Sequence, residues 1–146
     1  SGIDGCTSTA VGHTLQSKYL NVLITGDLAF FYDRNAFWHN YPLPNLMIVL
    51  LNNHGGAIFN IIDGPATLPE KLPYFVTDQR LDARKLCEEY GFQYLHLDTF
   101  DKLDGLLKNF FESDSAAKVL EIEGDPASTK LMFDNFRKQI KEAYEY

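Results

Sequence analysis

The stretch Val22-Leu23-Ile24-Thr25-Gly26-Asp27-Leu28-Ala29 is answered by Leu46-Met47-Ile48-Val49-Leu50-Leu51-Asn52-Asn53-His54-Gly55-Gly56, and this pair decides the reading of the chain. Each half is an apolar run that ends in polar residues. The carboxylate Asp27 follows the first run and the carboxamide Asn53, 26 positions later, follows the second. Continuous apolar runs, in place of alternation, suit parallel strands covered on both faces. Two neighbouring parallel strands would bring Asp27 and Asn53 to one sheet edge, the edge where ligands of open α/β sheets bind. There one carboxylate, one amide oxygen and the carbonyl of Gly55 can hold a hard cation. Two phosphate oxygens and a water would complete six oxygens, which suits Mg²⁺ at about 2.0–2.1 Å. Glycine at position 55 permits the turn that points its carbonyl inward. Backbone N–H groups of Leu28 and Ala29, entering a helix after Gly26, can face an anion. Plainer readings stand beside this one: an Asp after a strand is often only an N-cap, and Asn-Asn-His-Gly-Gly can be only a turn. His54 reads as spacing or as a donor behind the ligands, because Mg²⁺ prefers oxygen.

Working outward, the elements alternate. Helices are expected over about Cys6 to Ser17 and Leu28 to Asn40, with Pro42 and Pro44 marking the turn before the second strand. A short turn over Ala57 to Ile62 leads into a proline-bearing loop from Asp63 to Asp78, read either as an active-site lid or as an ordinary surface excursion. Ala83, Leu86, Cys87 and Tyr90 fall at helical spacing and end at Gly91. Gln93 to Leu97 and Lys118 to Ile122 read as strands. Thr99 is the expected cap of a helix carrying Leu103, Leu106, Leu107 and Phe110. Asp125-Pro126 opens a last helix, expected to turn Met132, Phe136, Ile140 and Ala143 inward. The order predicts an α/β fold, a doubly wound parallel sheet flanked by helices.

Composition narrows the function classes. The chain has 146 residues, one domain by length, and a formal net charge of −7 argues against nucleic acid or an anionic membrane surface as the main partner. Cys6 and Cys87 form no C-x-x-C pattern and read as reduced packing thiols of a cytoplasmic protein. No run approaches a membrane span. The chain opens Ser-Gly-Ile-Asp-Gly without an initiator Met, so it is expected to be part of a longer polypeptide.

Gly26-Asp27, a helix, an apolar strand and then Asn52-Asn53 resembles the cofactor motif of thiamine diphosphate enzymes in their diphosphate-binding domain. The resemblance implies that Asp27, Asn53 and the carbonyl of Gly55 hold Mg²⁺ (or Mn²⁺) against the diphosphate, with Gly26, Leu28 and Ala29 lining it. Further wording narrows the family. Ser1-Gly2-Ile3-Asp4-Gly5, Ser8-Thr9-Ala10, Tyr32-Asp33 with Asn35, and Gly55-Gly56 with Ile58-Phe59 resemble the SEPHCHC synthase family of menaquinone biosynthesis. The likeness covers most of the chain; its second half matches mainly in element order. It implies a thiamine diphosphate-dependent transferase that decarboxylates 2-oxoglutarate and adds the resulting succinyl carbanion to isochorismate. It also implies that the chain is the C-terminal domain of a longer enzyme, with pyrimidine-binding and central domains elsewhere, working as a homodimer or tetramer. Ile3 would be the apolar wedge under the cofactor. Ile58, Phe59 and Ile62 would face substrate, or else pack as helix residues under the sheet.

Several departures bear on this. Ala29 stands where relatives can carry a hydroxyl, so only its backbone can assist a diphosphate. His13, His39 and His96 read as structural. Residues 1–70 contain only Lys18 and Arg34 as cations, so clamps for two di-anionic substrates must come from elsewhere. Superfamily architecture places the active site against the pyrimidine-binding domain of a partner subunit, which supplies the Glu that protonates the cofactor. No catalytic residue is therefore assigned here, and the isolated fragment is expected to be inactive. The alternatives are another thiamine diphosphate enzyme, such as an acetolactate synthase or a 2-oxo acid decarboxylase, or a non-catalytic subunit-association module. A Rossmann dinucleotide site is disfavoured, because no G-x-G-x-x-G follows Val22–Thr25.

Overall fold

The computed structural model describes residues 2–39, 41–62, 64–70, 72–112 and 116–144, without the side chains of Ala66 and Leu72. Ser1 and Asn40 lie outside the described residues, as do Asp63 and Lys71 of the proline-bearing loop. The described chain divides into two units. One comprises the residues up to Asn52 together with Leu81–Glu123; the other comprises Asn53–Arg80 and the residues from Gly124.

The first unit is the α/β layer structure expected. Its elements are α1 (Cys6–Gln16), β1 (Asn21–Gly26), α2 (Asp27–Tyr32), β2 (Leu46–Asn52), α3 (Arg84–Tyr90), β3 (Gln93–Leu97), α4 (Leu103–Phe111) and β4 (Lys118–Glu123). All pairings are parallel and the strand order is β1-β2-β4-β3. On one face, Leu46, Ile48 and Leu50 of β2 and Val119 of β4 bury against Phe30 and Phe37 and the residues of α1 and α3. On the other, Met47, Leu97 and Leu120 close under Phe110 of α4. Lys118, 3% exposed, spends its ammonium on α4: it donates to the carbonyls of Asn109 (2.9 Å) and Glu112 (2.8 Å), capping orphan acceptors at the helix end. Gly91 ends α3 at φ 69°, the left-handed conformation that a C-terminal glycine supplies.

Four expectations need correction. The helix expected over Leu28 to Asn40 breaks at Asp33, and a 3-10 turn, Arg34–Phe37, follows. Asp33 accepts the Ser8 backbone N–H (2.7 Å) and the Ser8 hydroxyl (2.6 Å), a contact across 25 residues that local periodicity cannot reveal. Thr99 sits before a short 3-10 turn, Phe100–Lys102, and makes no capping hydrogen bond with its side chain. Coverage of both sheet faces fails at β1, where Val22 and Ile24 are 46% and 67% exposed.

The last correction concerns the second unit, which holds short turns at Ala57–Asn60, Pro65–Thr67 and Leu72–Val76 and the helix α5 (Pro126–Tyr144). Asp125 accepts the Ser128 N–H at 2.7 Å and opens α5 as expected; the Ser128 hydroxyl and N–H hold its carboxyl below the usual range. The residues expected inward are not buried: Met132, Phe136 and Ile140 are 73%, 56% and 43% exposed, and Ala143 is exposed too. Within its unit α5 packs on Ala57–Asn60, and a four-residue turn is too short to cover a 19-residue helix.

Candidate functional site

The carboxyl ends of β1 and β2 carry the residues of interest. Gly26 pairs with Leu51, so the two strands finish side by side. Asp27 is the first residue of α2 and is 3% exposed; Gly26 before it has an extended backbone, φ −86° and ψ 164°. Placing a carboxylate in the first turn puts negative charge where backbone N–H groups lack intrahelical partners. Leu28 and Ala29 follow in the same turn. Across the ladder, β2 ends at Asn52, and Asn53 is the next residue of the chain.

From Asn53 the chain belongs to the second unit, where its path is held by its own backbone. The Gly56 N–H donates to the Val76 carbonyl at 2.6 Å, and the Gln79 N–H donates to the His54 carbonyl at 3.2 Å. Gly55 has φ +154°, and a Cβ there would fall 2.9 Å from both the carbonyl oxygen and Cγ1 of Val76. Glycine is required at that point. The side chains expected to face substrate are not core: Ile58 and Ile62 are 51% and 40% exposed, and the Phe59 ring lies 5.8 Å from that of Phe75. In the first unit, Ile3 is 42% exposed, which removes its reading as a core residue of this chain.

Among the described residues no three His, Cys, Asp or Glu side chains gather as a zinc-type site requires. A donor set of one carboxylate, one carboxamide and one glycine carbonyl is all oxygen. It fits a hard divalent cation that shares its remaining positions with phosphate. The Gly55 carbonyl accepts the Ala57 N–H at 2.9 Å, which occupies one of its two lone pairs.

Sequence reading missed a buried carboxylate that bonds to the last residue of β2. Glu121, in the middle of β4, is 0% exposed. One carboxylate oxygen accepts the Asn52 carboxamide N–H at 2.6 Å; the other accepts the Ala83 backbone N–H at 3.0 Å and the Tyr94 hydroxyl at 2.6 Å. The Asn52 amide donates also to the Leu81 carbonyl, at 2.8 Å. Burial, then the hydrogen bond to Glu121 and its charge, pushes the Tyr94 hydroxyl well above its ordinary range, despite the Arg84 guanidinium 4.8 Å from the ring centroid. Burial, followed by the Glu121 charge, pushes the Cys87 thiol up to about 12. The available signal was a charged residue in the run Val119-Leu120-Glu121-Ile122: a carboxylate at a doubly covered strand position must be met by donors. The expected structural histidines find neighbours. His96 Nε2 lies 3.4 Å from the Glu123 carboxylate, and the His39 ring packs 4.6 Å from that of Tyr41. Cys6 and Cys87 are both free thiols, and Cys87 is fully buried.

An open parallel α/β sheet, with an acid and an amide leaving adjacent strand ends, is consistent with a thiamine diphosphate-binding domain. No family model matches the chain. It is 50% identical over 144 residues to a 2-succinyl-5-enolpyruvyl-6-hydroxy-3-cyclohexene-1-carboxylate (SEPHCHC) synthase of Cytophaga hutchinsonii, covering 99% of this chain and 26% of the relative. Synthases of the same name from Flavobacterium johnsoniae and Bacteroides fragilis are 43% and 40% identical, over 96% and 97% of this chain and 25% and 26% of theirs. Over the length that it spans, about a quarter of these curated relatives, the chain belongs to the SEPHCHC synthase family. No helix among the described residues is long and apolar enough to cross a membrane.

Proposed function

We propose that this chain is the metal- and diphosphate-binding part of a longer cytoplasmic enzyme that decarboxylates 2-oxoglutarate and joins the remaining succinyl unit to isochorismate, yielding SEPHCHC for menaquinone synthesis. The observation that carries the reading is the likeness to synthases of that name over almost the whole chain, with β1 and β2 ending in register. Thiamine diphosphate, when bound, supplies the nucleophilic carbon and the electron sink for carboxylate loss. The residues of this chain bind and orient. Asp27 contributes the carboxylate to Mg²⁺ or Mn²⁺, Asn53 its amide oxygen and Gly55 its carbonyl. Backbone N–H groups of Leu28 and Ala29, after the turn at Gly26, meet phosphate oxygens. Ile3 supports the cofactor from below. Ile58, Phe59 and Ile62 exclude water from the reacting end, where a dry wall favours losing a carboxylate. Recognition of substrate carboxylates comes mostly from outside this chain, and the acid that protonates the cofactor comes from a partner subunit's pyrimidine-binding domain in a homo-oligomer. The chain alone therefore does not turn over.

The test uses the full-length enzyme with isochorismate, 2-oxoglutarate, thiamine diphosphate and Mg²⁺, following loss of isochorismate. Asp27→Ala is expected to abolish metal-dependent cofactor binding in a calorimetric titration while the protein remains folded. Unchanged cofactor affinity rejects the assignment.

A further inference from the structure

The excursion Asn53–Arg80 leaves the sheet unit after Asn52 and returns at Leu81. It carries Asn53, Gly55, Ile58, Phe59 and Ile62, which are the ligands and walls of the proposed site. Its departure and its return are tied at one point. The Asn52 carboxamide donates to the Leu81 carbonyl and to Glu121, and Glu121 also accepts the Ala83 N–H. The carboxylate thus bridges the last residue of β2 and the residue that precedes α3. It does so from β4, the strand between β2 and β3, buried on both faces.

Holding a carboxylate at 0% exposure costs several kcal/mol of desolvation, and an apolar residue of similar size is often no less stable there. Stability alone is thus a poor account of Glu121. Directionality is a better one: three donors converge on two oxygens, and each bond fixes a different backbone segment. Rotation of the Asn52 peptide would carry Asn53 with it, since the two are adjacent in the chain. The Asn52 amide is held by two acceptors, the Leu81 carbonyl and Glu121.

We propose that Glu121 is a positioning residue: through Asn52, Leu81 and Ala83 it fixes the base of the excursion that presents the metal ligands. The inference rests on the proposed function. It predicts that Glu121 and Asn52 act as one unit on cofactor binding, although neither touches metal or cofactor.

The experiment measures, in the full-length enzyme, thiamine diphosphate affinity at fixed Mg²⁺, Mg²⁺ dependence at fixed cofactor, and the thermal midpoint without cofactor. Glu121→Gln replaces one acceptor by a donor facing donors; Asn52→Ala removes the amide. Each is expected to weaken Mg²⁺-dependent cofactor binding by about tenfold or more, the range seen for residues that orient metal ligands. The double variant should be no weaker than the weaker single variant, because both remove the same restraint. Tyr94→Phe, on the side of Glu121 away from Asn52, should change affinity far less. Affinities at the parental value in Asn52→Ala and Glu121→Gln, with a lower thermal midpoint, reduce the cluster to a packing role and overturn the inference. If Glu121→Gln does not fold, parental affinity in Asn52→Ala alone overturns it. Asp27→Ala separates the two failures. Binding lost in Asp27→Ala but kept in the other two sinks only this inference, whereas binding kept in Asp27→Ala sinks the functional reading and this inference with it.

Discussion

The two faces of the sheet are built from equally apolar sequence and end in different states. On the face under α1, α2 and α3, Phe30, Leu46, Ile48, Leu50 and Val119 are all 0% exposed. On the face under α4, burial reaches Met47, Leu97, Leu120 and Phe110, but Val22, Ile24 and Leu51 stay 46%, 67% and 47% exposed. The reason is geometric. Strands lie about 4.8 Å apart and a helix is about 10 Å wide, so one helix covers about two strands. Three helices close the first face from edge to edge. Within the first unit α4 packs on β3, and the strand order leaves β1 at the opposite margin. An apolar strand therefore states a demand for cover; the number and placement of helices decide where it is met.

The comparison can be broken most sharply at its closed face. Phe30→Ala removes a fully buried ring that meets Phe31 and Phe37, and is expected to cost about 3–5 kcal/mol in urea denaturation. A loss below about 1 kcal/mol, the scale of ordinary point changes, would mean that this face is not the main core. A smaller effect lies in the same layer at alkaline pH. The Cys87 pKa is raised from 9.0 to about 12, so its share of stability is complete below pH 9.0 and is lost as pH rises through about 12. Tyr94 shifts the same way and steepens the loss. Denaturation midpoints should fall over that window, and Cys87→Ala should flatten the fall; an unaltered slope would mean that the thiol is not held in a closed interior. The smallest effect belongs to the open face. Ile24→Thr keeps β-branching at an exposed strand position and should change stability by less than about 0.5 kcal/mol. A loss approaching that of Phe30→Ala would show that the β1 margin is covered in solution.

Much of this was readable in advance, and the failures share a cause. Runs such as Leu46–Leu51 declare themselves, because a short continuous apolar run bounded by turn residues suits a covered strand. Gly91 and Asp125-Pro126 did likewise, since capping chemistry acts within one helical turn. Asp33 misled because its partner, Ser8, is 25 residues away. The α5 stripe misled because periodicity specifies which side is apolar, not whether anything covers it. The expectation that the strands before Asp27 and Asn53 are parallel neighbours held, because each apolar run specifies its own strand. The Glu121 cluster escaped notice because Asn52, Ala83, Tyr94 and Glu121 come from four separate segments.

The order of amino acids alone determined the strands, their parallel sheet and the family, since these follow from short-range chemistry and motif spacing. Tertiary structure alone decided that Glu121 would meet Asn52, that α4 would pack on β3 and not at the β1 margin, and that Asp33 would stop a helix. Those outcomes depend on which distant segments come within hydrogen-bonding or packing reach, and that distance is a property of the folded chain.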